Sequence, residues 1–264
     1  SSQSADVASI PKKLTTADIK RRLEALKSSL PADAFTSFEI GQLELKSGGF
    51  NAARATFRTA IEKFPQYARG RFLAGSLLLS LGEETEAKMQ IDLALALDPR
   101  SVDALFLSAL IDYRKKDNAR AIVTLDKLLK IRPDHPNAYL LRAYCNDHHG
   151  TSLASISDLE HFLSLSPNPT VGQFMLGRIY SRLNQREKSE QYLKMAIASD
   201  AQNPSFYVAL GRLYTEQFDK SRQTEGMDCF QKALTIDPKY ADAHRYLGKA
   251  LMSQGQYDGA VTHF

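Results

Sequence analysis

No apolar run in this sequence approaches the ~20 residues that a membrane-crossing helix needs, so no membrane span is expected. Catalytic signatures are missing too. There is no Gly-rich phosphate loop, no HExxH and no GxSxG, so a phosphate cradle, a zinc protease site and a nucleophile elbow are not expected. Cysteine is scarce: Cys145 and Cys229 stand far apart and form no metal-ligand spacing. Two thiols lean toward a reducing, cytoplasmic compartment and leave the periplasm open. The net charge of +4 is a mild excess. It does not demand nucleic acid, whose binders concentrate basic residues on one face, and nucleic acid is not the expected partner. The chain does not begin with Met, so its start says nothing about an address signal. The remaining composition, 43% hydrophobic and 24% charged, is that of an ordinary folded, soluble protein.

What is present is a period. Pro31, Pro65, Pro99, Pro133 and Pro167 stand 34 residues apart. A fixed period of this size marks a solenoid, in which each unit packs only on its neighbours. The units run over residues 34–67, 68–101, 102–135, 136–169, 170–203 and 204–240, with a truncated one at 241–264. The sixth is three residues longer, and its excess around Phe218–Thr224 reads as a longer polar turn. The eighth position of each unit is small: Gly41, Gly75, Ala109, Ala143, Gly177, Gly211, Gly248. The twenty-fourth is large: Phe57, Ile91, Leu125, Leu159, Leu193, Phe230. Small residues let helix backbones approach, and the large ones fill the space between them. Proline at the thirty-second position stops the second helix. Ahead of the array, residues 1–15 read as a disordered leader and 16–33 as a capping helix or half repeat. There Thr16 is placed to cap, and Ile19, Leu23, Leu26 and Leu30 follow at helical spacing. Lys20, Arg21 and Arg22 form a solvated basic face.

These marks resemble the tetratricopeptide repeat (TPR) family over nearly all of the chain after the leader. The likeness departs at the fourth position, usually aromatic, which reads Ser37, Arg71, Leu105, Tyr139, Gln173, Tyr207 and His244. Pentatricopeptide repeats, an RNA-binding relative of similar length, fit the Gly/Ala/Ala/Pro marks less well. The resemblance implies an all-α fold, a right-handed α-solenoid of tetratricopeptide helix-turn-helix repeats. It also implies a concave face lined by the second, fifth, ninth, twelfth and thirteenth positions of each first helix. Carried over residue by residue, the partner-binding groove comprises Phe38, Phe72, Leu79, Phe106, Tyr113, Tyr144, Phe174, Arg178, Arg182 and Arg212. Its N-terminal half is aromatic and its C-terminal half basic, which suits a peptide with apolar anchors and an acidic portion. A plainer account stands beside it: the phenylalanines pack between neighbouring first helices, and the arginines are solvated charge. The family's carboxylate clamp for chaperone tails matches no window, because the fifth positions are mostly Phe.

Two features fall outside this pattern. Cys145, Asp147, His148 and His149 cluster in YCNDHHG, with His161 later. Adjacent helical histidines point about 100° apart and converge poorly on a metal, so the segment reads as a polar helix end, and no metal or cofactor is expected. Arg142 occupies the usually apolar seventh position, where it either reaches solvent along its stem or pairs with an acid on a neighbouring helix. The functional expectation is a non-enzymatic protein-protein interaction scaffold binding a peptide or partner subunit, as a fragment of a longer protein or part of a multi-subunit complex. The alternative is a partner- or substrate-positioning arm of a larger enzyme or polysaccharide-secretion machine. A second helix cut off at Phe264 would leave Leu247 and Leu251 poorly covered, from which self-association through exposed array ends is expected.

Overall fold

A computed structural model describes residues 15–28, 33–148, 150–216 and 220–263. Among them every regular element is an α-helix and none is a strand. The chain divides into two compact units, residues 1–116 and 117–264. The first holds α1 (Thr16–Ser28), α2 (Ala34–Lys46), α3 (Phe50–Lys63), α4 (Ala68–Ser80), α5 (Glu84–Leu97) and α6 (Val102–Arg114). Here α2 pairs with α3 and α4 with α5, each pair stacks on the next first helix, and α1 lies against α2. The second holds α7 (Asn118–Ile131), α8 (Pro136–His148), α9 (Ser152–Leu165), α10 (Thr170–Arg182), α11 (Arg186–Ser199), α12 (Pro204–Thr215), α13 (Lys220–Ile236), α14 (Ala241–Ser253) and α15 (Tyr257–Val261). Its hairpins are α8–α9, α10–α11, α12–α13 and α14–α15, with α10, α12 and α14 side by side as successive first helices. This is an all-α solenoid architecture.

The small-against-large pattern sets the spacing within each hairpin. A Cβ at Gly41 would stand 2.3 Å from the Phe57 ring, and one at Gly211 would stand 2.5 Å from Phe230. The eighth-position glycine therefore makes room for the aromatic that the twenty-fourth position supplies, and both rings are buried. Turns follow the same period. The fifteenth position is left-handed at Gly48, Gly82, Gly150 and Gly255, and also at Lys116 (φ 63°) and Asn184 (φ 56°). The next amide then bonds back five residues, as Glu83 N to Leu78 O and Gln185 N to Tyr180 O do, each at 2.9 Å. That bond satisfies a carbonyl the helix end would otherwise leave open.

Several expectations are corrected. The residue that caps α1 is Thr15, not Thr16: its hydroxyl accepts from the Asp18 amide and the Asp18 carboxylate accepts from the Thr15 amide, both at 3.2 Å. The basic face of α1 is partly engaged, since Arg22 pairs with Glu39 at 2.5 Å and, a turn further on, Lys27 pairs with the buried Glu44 at 2.6 Å. The extra length of the sixth unit is helix rather than turn from residue 220 onward. There α13 spans 17 residues, where the other full second helices span 14. Leu247 is well covered, 5% exposed among Phe230, Ala233 and Ala243, whereas Leu251 is half-buried against the same cluster. Of the two arrangements expected for Arg142, the ion pair is the one found: it pairs with acids on both neighbouring helices, with Nη2 2.6 Å from Asp158 and Nη1 2.6 Å from Asp126. The expectations for residues 1–14, Leu30, Pro31, His149 and Phe218 lie outside the described residues.

Candidate functional site

The aromatic half of the expected groove is divided between buried and half-buried side chains. Phe38 is 1% exposed, clamped between Phe57 and Tyr67, and a Cβ at Gly70 would stand 2.2 Å from its ring. Leu79 is 9% exposed and packs with Ala87, Ile91 and Ile111. Neither side chain is available to a ligand, so both are withdrawn from the site. Phe72 is half-buried against that same cluster, and Tyr144 is half-buried against Leu176 and its neighbours. Phe106 and Tyr113 are half-buried. Phe38 and Phe72 of the first unit and Tyr144 of α8 thus pack against neighbouring helices.

The basic half assembles. Within the second unit, Phe174, Arg178, Arg182 and Arg212 line one groove of about 460 Å³ between α10, α12 and α14. Residues that the pattern reading left out join them: Arg245 and Tyr246 of α14, with Tyr240 and Asp242 at its start. Arg245 sits at the fifth position of its repeat, the column already read for phenylalanines, so the signal was present in the sequence.

Aromatic faces hold the guanidiniums. Arg178 lies 5.7 Å from the centroid of Phe174, whose ring is 4.7 Å from that of buried Phe206. Arg212 and Arg245 lie 4.8 Å and 4.2 Å from the centroid of Tyr246, which stacks at 5.9 Å on fully buried Phe230. Guanidiniums over such rings gain electrostatically from the ring quadrupole and lose freedom before any ligand arrives. The charges are partly countered. Arg245 bonds Asp242 at 2.6 Å, and this hydrogen bond raises its already high pKa. Arg182 pairs with Asp147, and Arg212 approaches Glu216 at 3.7 Å across an exposed surface. Arg178 makes no ion pair among the described residues.

Other candidate chemistry is quiet. Among the described residues no His, Cys, Asp and Glu come together in a set that could hold a metal. Asp147 instead faces Arg182, and His161 stacks on Tyr139 at 4.9 Å. Burial pushes the thiols of Cys145 and Cys229 up to about 11, which leaves each protonated near neutrality. No helix among the described residues is long and apolar enough to cross a membrane.

Comparison with known proteins agrees with this architecture. Models of the tetratricopeptide repeat match residues 38–90, 103–135 and 172–203, and a TPR repeat model matches 216–255. The chain belongs to the tetratricopeptide repeat family. It is 27% identical over 183 residues to Superkiller protein 3 of Schizosaccharomyces pombe, covering 66% of this chain and 13% of that protein. It is 26% identical over 214 residues to the peroxisomal targeting signal receptor of Eremothecium gossypii, covering 79% of this chain and 37% of the receptor. The chain thus spans less than two fifths of the length of these relatives. Among solved structures it resembles YrrB, described as a TPR protein with an unusual peptide-binding site, with a TM-score of 0.62 and 18% identity over 72% of this chain and 96% of that one. That likeness shows the fold alone.

Proposed function

We propose that this chain is a non-enzymatic protein-interaction scaffold whose second unit takes a segment of a partner protein in the groove between α10, α12 and α14. The observation that carries this is the convergence of Phe174, Arg178, Arg182 and Arg212 on one groove, joined by Arg245 and Tyr246. An extended or helical segment with acidic residues suits it, because charge-assisted bonds from guanidiniums give geometric selection and the aromatic faces accept apolar side chains. The names of similar proteins support a polypeptide occupant: one is a targeting signal receptor, and another is described with a peptide-binding site. Aromatic residues of the first unit contribute chiefly by keeping its helices in register.

The test is affinity purification from the native cells with wild type and an Arg178→Glu plus Arg212→Glu double variant. Far-ultraviolet circular dichroism checks that the variant keeps its helix content. The expected result is a partner recovered stoichiometrically by wild type and at least about tenfold less by the variant, since like-charge juxtaposition opposes an acidic segment. Equal recovery by a folded variant would place the partner elsewhere and end this assignment.

A further inference from the structure

The basic groove keeps positive charge in excess of the acids that reach it. Four arginines line it, at 178, 182, 212 and 245. Asp242 pairs with Arg245, Asp147 with Arg182, and Glu216 stands 3.7 Å from Arg212 across an exposed surface, which leaves Arg178 with no ion pair among the described residues. Two of them sit over the same ring: Arg212 from α12 and Arg245 from α14 both lie within 4.8 Å of the Tyr246 centroid, hence within twice that distance of each other. Lys249 adds a third cation, its Nζ 5.8 Å from the same centroid. Like charges gathered this closely repel, and bringing an anion among them relieves that repulsion.

The cluster is also held in place before a ligand arrives. Tyr246 is backed by buried Phe230, and Phe174 by buried Phe206, so each platform is anchored in the core of the hairpin behind it. Guanidiniums resting on fixed rings lose less freedom on binding than free side chains do.

The number and origin of the cations indicate the anion. A carboxylate presents two oxygens and is satisfied by the fork of one guanidinium. A phosphate monoester carries about −1.5 to −2 charges near neutrality and three strong acceptor oxygens, enough to engage guanidiniums from separate helices. Arg212 and Arg245 come from separate helices and share one platform, and Arg178 waits one helix further with no ion pair among the described residues.

We propose that this groove recognises a phosphorylated serine or threonine of the partner segment. Arg212 and Arg245 hold the phosphate over Tyr246, and Arg178 over Phe174 reads a second acidic group beside it. This rests on the partner-binding role proposed above and names the chemistry that the groove selects.

The experiment uses the full chain and three synthetic pentapeptides, alanine throughout except for a central phosphoserine, glutamate or serine. Binding is followed at low salt by amide and arginine side-chain NMR shifts, with a single-stranded oligonucleotide as a fourth probe. The phosphoserine peptide is expected to bind at least about tenfold more tightly than the glutamate peptide, with shifts centred on α12 and α14. Arg212→Lys keeps the charge and the fold but loses the planar fork, and it should abolish most of that preference. Equal affinity for phosphoserine and glutamate would overturn the phosphate assignment while leaving the acidic-segment groove standing. An unchanged preference in Arg212→Lys would also overturn it, as would tighter binding of the oligonucleotide or no binding by any peptide.

Discussion

Replacing Arg142 tests whether a charge at a position that is apolar in most other repeats supports its own repeat. The Asp158 side chain is 5% exposed and accepts from Arg142 at 2.6 Å through Nη2 and at 3.1 Å through Nε, and from Asn146 Nδ2 at 3.0 Å. Arg142→Leu would leave that carboxylate buried with Asn146 as its one remaining donor of the two. Breaking a buried pair from one side costs about 3–5 kcal/mol, and the surviving bond from Asn146 puts the expectation at the low end, about 3 kcal/mol. Asp158→Ala is the milder change, because Arg142 keeps Asp126 at 2.6 Å and a route to water, so about 1–2 kcal/mol is expected. Arg142→Leu with Asp158→Ala removes both charges and installs the leucine found at positions 176 and 210, and should lie within about 1 kcal/mol of wild type. Denaturant unfolding gives the total, and amide exchange in α8 and α9 locates the loss, since a solenoid can open one repeat while its neighbours stay folded. A cost below about 1 kcal/mol for Arg142→Leu alone, or a double variant no better than that single one, would refute the argument.

Two further outcomes follow from the turns and from the Glu190 cluster. Lys116→Gly should stabilise the chain by about 0.5–1 kcal/mol, because a side chain at φ 63° is strained and glycine's extra freedom when unfolded offsets only part of the relief; a lower denaturation midpoint would count against it. Tyr214, which donates to Glu190 at 2.7 Å, is pushed up to about 12 by burial and by that bond, so its contribution is complete below pH 10 and fades as pH rises through about 12. Burial opposes the Glu190 charge, but the bonds from Lys194 and Tyr214 outweigh it and keep that carboxyl below its ordinary 4.5, so its contribution is present above pH 4.5 and is lost on acidification. Tyr214→Phe should flatten the stability-against-pH curve at both ends, and an unchanged curve would show that the cluster is energetically idle.

The hairpins were legible because their pairing is local: a small residue at the eighth position of a unit and a large one at its twenty-fourth meet within one repeat. What failed depended on the next repeat. Phe38 occupies a column that faces ligands in the family, yet it is buried because Gly70, at the third position of the following unit, has no side chain to keep it out. The signal was Gly70, five residues after Pro65 in a helix start that has no need of glycine. Residues from Lys220 read as turn because they are polar, but polar residues also make exposed helix, and here Arg222 stacks on Tyr214 at 4.8 Å and reaches Glu190.

The groove teaches the same lesson in a form that can be used. Positions five and nine of one helix are a turn apart on one face, while adjacent first helices bring position nine of one unit toward position five of the next. Columns read singly show scattered arginines; the diagonal shows which of them meet. Along it stand Gln42 with Phe72, Ser76 with Phe106, Tyr144 with Phe174, Arg178 with Val208 and Arg212 with Arg245. Of these pairs the last alone places two cations together, and it is there that both guanidiniums settle on Tyr246. A charged site in a periodic helical array is therefore specified by two repeats jointly. An alteration at position five of the seventh unit should disturb ligand selection as strongly as one at position nine of the sixth, although the two residues are 33 apart in the chain.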